Sequence, residues 1–192
     1  SIKDINFDFN SLKLIKNFAL DSKGDDKLLS AISVFFENNG FPILDWQDQC
    51  KDLFITKKCL TLKKPSKESI SNRDKGLDIF KLIGKTDIAQ SLIIQNNIVL
   101  GIEAAEGTDE LIKRCFEYKN SGDRGILIKL SKYNQHSSLD IPVIGIETVK
   151  KLKAYDYDGV FLEKNKCMII DKDEVIKFSN ANDIFIASVD KN

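Results

Sequence analysis

Histidine is almost missing from this chain of 192 residues: His136 stands alone. Zinc hydrolases and His-rich two-metal phosphoesterases draw most of their ligands from imidazoles, so both classes are excluded. A Ser-His-Asp triad would have to use His136, whose neighbours Ser137 and Ser138 carry no nucleophile-elbow pattern. Neither a P-loop nor a GxGxxG fingerprint occurs. Net charge is zero, with 29 basic and 29 acidic residues, which argues against a nucleic-acid-binding surface. Lysine is abundant while arginine is confined to Arg73, Arg114 and Arg124, a bias that AT-rich coding explains better than binding does. No apolar run approaches the roughly 20 residues a membrane span needs, and no signal peptide is visible. Cys50, Cys59, Cys115 and Cys167 form no CxxC pair and sit in or beside apolar runs. They read as reduced structural thiols in a reducing, cytoplasmic compartment.

What is present is an alternation of helical and strand periods. Residues 11–20 suit a short amphipathic helix. Leu28, Leu29, Ile32, Phe35 and Phe36 recur at helical spacing, and Asn38-Asn39-Gly40 closes that helix. Residues 41–44 read as a short strand, with Trp46 anchoring the next turn. Residues 63–75 are charged, contain Pro65 and lack periodicity, so they read as a linker, with a surface loop as the alternative. Beyond it, residues 75–83 are helical, and two apolar runs at 91–95 and 98–103 joined by Asn96-Asn97 predict a hairpin. Helices are expected at 110–118, 147–153 and 173–180, and strands at 125–130, 159–162, 167–170 and 184–189. The fold class is α/β, a mixed sheet with flanking helices. Two domains are expected: 1–62 as the tail of a first, incomplete domain, 63–75 as linker, and 76–192 as the second.

The densest polar constellation is Glu103, Glu106 and Asp109. Glu103 ends a strand, Gly107 and Thr108 make a turn, and a helix begins near Asp109. Unpaired amides at a helix start attract an oxyanion. Gly107 lets the backbone approach it, and Thr108 can cap the helix or donate to phosphate. Carboxylates beside phosphate make most sense as ligands of a hard cation that bridges to it. The same pattern also describes a capped turn with solvated glutamates. In Asp140-Ile141-Pro142, the proline holds Ile141 extended and fixes the angle of Asp140. Lys129, Lys132 and Gln135 lie upstream, so Asp140 could serve as base or metal ligand beside a phosphate clamp, or as an ordinary turn residue. Lys23, Gly24, Asp25 and Asp26 read either as the cap of the following helix or as a further phosphate-side element.

These segments resemble the LpxI family of UDP-2,3-diacylglucosamine pyrophosphatases, which act in lipid A biosynthesis in Gram-negative bacteria. The resemblance rests on KGDDKLL at residues 23–29, KLIGKTDIAQ at 81–90, VLGIEAAEGTDELIKR at 99–114, GILIKLSKYNQ at 125–135 and LDIPVIGIETV at 139–149. The run from Gly159 to Ile176 also aligns. It implies Mg²⁺-dependent hydrolysis of UDP-2,3-diacylglucosamine to UMP and 2,3-diacylglucosamine 1-phosphate, by water attacking the sugar-side phosphate. The family's essential acid falls on Asp140. Its acidic turn falls on Glu106 to Asp109, and its lysine and glutamine contacts on Gln90, Lys129, Lys132 and Gln135. The site would lie between two domains, with the acyl chains in an apolar cleft and peripheral contact with the inner membrane open to it. Two departures stand out. Family members begin with a Gly-rich, nucleotide-fold-like segment not matched here, and Tyr133 and Ser138 replace a usual proline and arginine. Loss of that arginine removes a bidentate phosphate contact. The rival readings are a non-catalytic module that binds the acylated sugar phosphate, a plain α/β interaction protein, and an incomplete chain that aggregates or forms domain-swapped dimers.

Overall fold

The computed structural model describes residues 25–44, 47, 49–83, 89–131 and 141–191. They fall into two compact units, one holding the described residues up to 49 and the other running from Cys50 onward. In the first unit, helix α1 spans Asp25–Asn38. Asn39 closes it by donating its side-chain amide to the Phe35 carbonyl at 2.7 Å, and the Phe41 amide returns to the Phe36 carbonyl at 3.0 Å. The strand expected at 41–44 does not form: among the described residues no strand pairs with this run, and Phe41 and Leu44 are exposed. The helix expected at 11–20 and Trp46 lie outside the described residues.

The second unit is built on a five-stranded sheet in the order β2-β1-β3-β5-β7. The strands are β1 (Ser91–Gln95), β2 (Ile98–Ile102), β3 (Ile126–Lys129), β5 (Gly159–Glu163) and β7 (Phe185–Val189). β1 runs antiparallel to β2 and β3, whereas β3, β5 and β7 are mutually parallel. A small parallel pair, β4 (Val143–Ile144) and β6 (Met168–Ile169), stands apart from the main sheet. The Asn96-Asn97 turn has φ of +52° and +59°, the mirror-image turn whose twist matches a two-residue hairpin.

Alternation along the strands sorts the core into two layers. Ile93, Leu127, Val160, Leu162 and Ile186 face one side, where they meet Leu111, Ile112 and Cys115 of α3 (Thr108–Phe116). Val149 and Leu152 of α4 (Ile146–Ala154) and Val175 of α5 (Lys172–Ala181) complete that layer. Leu92, Ile94, Ile126, Ile128, Phe161 and Phe185 face the other side, against Phe80 of α2 (Lys67–Ile83). The mixed α/β architecture expected from the sequence is therefore observed.

Helix α2 spans Lys67–Ile83 and corrects the linker assignment, because residues 67–75 form its first half. Its inward positions there are Ser69, Asn72 and Gly76, all buried. Ser69 donates to Asp158 at 2.7 Å, and Asn72 donates to Asp123 at 3.0 Å while accepting from the Asn97 amide at 2.7 Å. A Cβ on Gly76 would lie 2.2 Å from Ile128 Cδ1 and 2.9 Å from Ile94 Cδ1, so a side chain there would force both isoleucines to move with the helix this close to the sheet. The compact unit accordingly begins near Cys50 rather than at residue 76.

Candidate functional site

In open α/β sheets, ligands bind beyond the carboxyl ends of the parallel strands. Here that edge is polar. Ser91, the first residue of β1, pairs in register with Lys129, the last of β3. β2 ends beside them, with Glu103 following its last residue and its amide bonded to the Ser91 carbonyl at 2.9 Å. Gln90 is half-buried and its carbonyl accepts from Leu130 at 2.8 Å. The turn after Glu103 returns the chain to α3, whose N-terminus faces this edge.

Gly107 makes that return possible. It precedes the first helical residue with φ +80° and ψ 168°, a region essentially reserved for glycine. Nothing lies within 4 Å of where a Cβ would project, so the turn opens outward. Gly107 supplies no side-chain cap to the first amides of α3. Thr108 is not a cap either. It is the first helical residue, and its hydroxyl joins three groups: it donates to Glu103 Oε1 at 2.7 Å, accepts from Lys129 Nζ at 2.5 Å and lies 3.2 Å from the Ser91 hydroxyl.

Lys129 is only 5% exposed. A buried ammonium normally sits against a carboxylate; among the described residues this one reaches Glu103 only through the threonine hydroxyl. Glu103 uses one oxygen in that chain, and its Oε2 is buried without a hydrogen-bond partner among the described residues. A buried carboxylate oxygen left unpaired is costly and marks a position for a cation or donor.

The other acidic residues of the turn point elsewhere. Glu106 Oε1 accepts from Arg114 Nε at 2.9 Å and Nη2 at 2.7 Å, and its Oε2 accepts from the Ala104 amide at 3.1 Å. The Arg114 hydrogen bonds hold the Glu106 carboxyl below its ordinary value. Asp109 accepts from Thr148 of α4 at 3.1 Å and pairs with Lys151 at 3.3 Å, strapping α3 to α4. The expected metal set of Glu103, Glu106 and Asp109 does not assemble: among the described residues no group of three or more His, Cys, Asp or Glu side chains converges. A three-carboxylate chelate therefore does not fit, whereas a single contact through Glu103 Oε2 does.

A second polar group at the same edge was not anticipated. Glu163, at the end of β5, accepts from both the amide and the hydroxyl of Ser131 at 2.7 Å, and Lys191 donates to the Ser131 carbonyl. Burial pushes the Lys191 ammonium down, with Glu163 opposing. Position at the carboxyl end of a buried parallel strand was the available signal for Glu163. Ser91, Thr148 and Lys151 carried none. Asp140, Lys132, Gln135, Lys23 and Gly24 lie outside the described residues, and for Asp25 and Asp26 only their place at the start of α1 is described.

The chain belongs to the LpxI family: residues 56–187 match the model of the LpxI C-terminal domain. It is also similar to the UDP-2,3-diacylglucosamine pyrophosphatase LpxI of Caulobacter vibrioides, with 28% identity over 190 residues that cover 95% of this chain and 68% of that protein. All of the described edge residues named above except Ser131's partner Lys191 fall within the matched 56–187 span. Among the described residues no helix is long and apolar enough to cross a membrane.

Proposed function

We propose that this chain hydrolyses the pyrophosphate of UDP-2,3-diacylglucosamine, releasing UMP and 2,3-diacylglucosamine 1-phosphate, as a step of lipid A biosynthesis. The observation that carries the reading is the Lys129–Thr108–Glu103 chain, set at the carboxyl edge of the sheet beside the uncapped start of α3. Thr108 and Lys129 stand at positions where the resemblance puts the family's acidic turn, Glu106 to Asp109, and one of its lysine contacts, and Glu103 lies just ahead of that turn.

The chemistry follows from that placement. Phosphoryl transfer needs neutralisation of charge growing on the phosphoryl oxygens and alignment of the attacking and leaving oxygens. Lys129 brings a fixed positive charge that is already desolvated, so it need not shed water as the reaction proceeds. The first amides of α3 supply further donors to a pyrophosphate oxygen. Thr108 holds the ammonium and the carboxylate at a set separation. We assign Asp140 the role of accepting the proton from water as its oxygen bonds to the sugar-side phosphorus. The bridging P–O bond then breaks and UMP leaves. Mg²⁺, which we assign to Glu103 Oε2, would supply additional positive charge when bound.

The test is UMP release in Mg²⁺ buffer by wild-type chain and by Asp140→Ala. The reading predicts that the variant loses nearly all activity. Turnover at the wild-type rate would remove Asp140 from the mechanism. Stabilisation by 2,3-diacylglucosamine 1-phosphate without wild-type turnover would favour a binding module instead.

A further inference from the structure

The sheet carries a second recess, on the face opposite the Lys129–Thr108–Glu103 chain. β3 aligns Ile128 with Phe161 of β5, and both project toward the α2 layer, whereas Leu127 projects toward α3. α2 packs over β1 and β3, and over β5 and β7 a cavity of about 510 Å³ remains. That volume is in the range of sites for small organic ligands, about 300–1,000 Å³. Its apolar wall comes from Phe161 and Ala187 of the sheet, Ile70 of α2 and Pro65 ahead of it.

The charged lining is of one sign. Lys58, Lys64 and Arg73 border the cavity, and among the described residues no carboxylate does. Arg73 lies over the Phe161 ring at 5.5 Å and is paired on its other side with Asp74, at 2.7 and 2.9 Å. Lys64 rests on the Thr61 carbonyl at 2.8 Å. The Lys58 ammonium has no hydrogen-bond or ion-pair partner among the described residues. An apolar wall excludes inorganic phosphate alone as the matching ligand, and an unbalanced ammonium at its border disfavours a neutral hydrocarbon.

We infer that this cavity binds a single-chain anionic amphiphile, with the chain against Phe161, Ala187 and Ile70 and the anionic end at Lys58. The inference goes beyond the hydrolysis proposed above. The ligand is a fatty carboxylate separate from the proposed substrate, since the cavity lies on the sheet face away from the Lys129–Thr108–Glu103 chain.

Calorimetric titration of the full chain with sodium dodecanoate, sodium octanoate and inorganic phosphate tests it without relying on turnover. The expected result is one dodecanoate per chain, with octanoate weaker by about fourfold for each methylene withdrawn from the wall. Phosphate should neither bind the cavity nor displace dodecanoate. Lys58→Glu and Ile70→Glu, both at exposed positions, should each weaken dodecanoate about tenfold or more at unchanged melting temperature. Absence of dodecanoate binding, equal affinity in both variants, or full displacement by phosphate would overturn the assignment. The KM for UDP-2,3-diacylglucosamine should be unchanged in Lys58→Glu, and a raised KM would overturn the assignment by showing that the cavity takes the substrate's own chain.

Discussion

Thr108 is where the chemistry of single residues matters most. Its hydroxyl oxygen both accepts from Lys129 and donates to Glu103, which an ionised carboxylate cannot do and a carboxamide does only through two separate atoms. Thr108→Val keeps the shape and removes the link, leaving a buried ammonium without its only described partner. The expected cost is about 1–3 kcal/mol of stability, with at least a tenfold fall in kcat. Thr108→Ser should restore both, and urea melts with UMP-release assays read the two effects. The cysteines make a different residue-scale point. Burial pushes the Cys115 thiol up to about 11 and that of Cys167 to about 12, so neither supplies much thiolate in the native fold near pH 8. Cys50 and Cys59 are only half-buried. Brief iodoacetamide treatment followed by mass spectrometry should label Cys50 and Cys59 and spare the other two until the chain is unfolded. The sign for stability follows from the same shifts. An acid held protonated by the fold stabilises it fully below the ordinary thiol value of 9.0, and that contribution is lost as pH rises toward 11 and 12.

Among the elements, the strands and most helices were legible because their inward positions are apolar. Alternation in residues 91–95, 126–129 and 159–163 separates the two core layers directly. Helix α2 was not legible over its first half, and the reason is physical. Ser69 and Asn72 face inward to bond Asp158 and Asp123, and Gly76 faces inward because the helix lies too close to the sheet for a side chain. A polar and glycine-bearing inner face erases the helical period and leaves only the charged outer face to be read. The strand expected at 41–44 failed for the opposite reason, an apolar run with no strand among the described residues to pair it. Gly76→Ala isolates the packing argument. In a free helix the change would gain roughly 0.8–1 kcal/mol from propensity. Here the new methyl meets Ile128 and Ile94, and overpacking of about 1–3 kcal/mol should win, giving a net loss of stability in chemical denaturation. A stabilised variant would show that α2 can shift outward at little cost.

At the scale of the whole molecule, the candidate site was legible where family pattern and strand ends coincide, at Glu103, Gly107, Thr108 and Lys129. The sequence could not show that Glu106 and Asp109 are drawn away, since the first depends on the turn folding Glu106 back onto Arg114 of α3 and the second on α3 packing against Thr148 and Lys151 of α4. The result is an edge with a desolvated cation, a bridging hydroxyl and one carboxylate oxygen in reserve, rather than a three-carboxylate metal cage. That arrangement makes Lys129 the test of the account. The direct measurement is kcat/KM for UMP release from UDP-2,3-diacylglucosamine in Mg²⁺ buffer, for wild type and for Lys129→Met, which keeps the buried stem and removes the charge. The account predicts turnover by the wild type and a fall of about 100-fold or more in the variant, the scale seen when a preorganised charge-stabilising group is removed. A variant with wild-type kcat/KM, or a wild type that binds the lipid and releases no UMP, would contradict it.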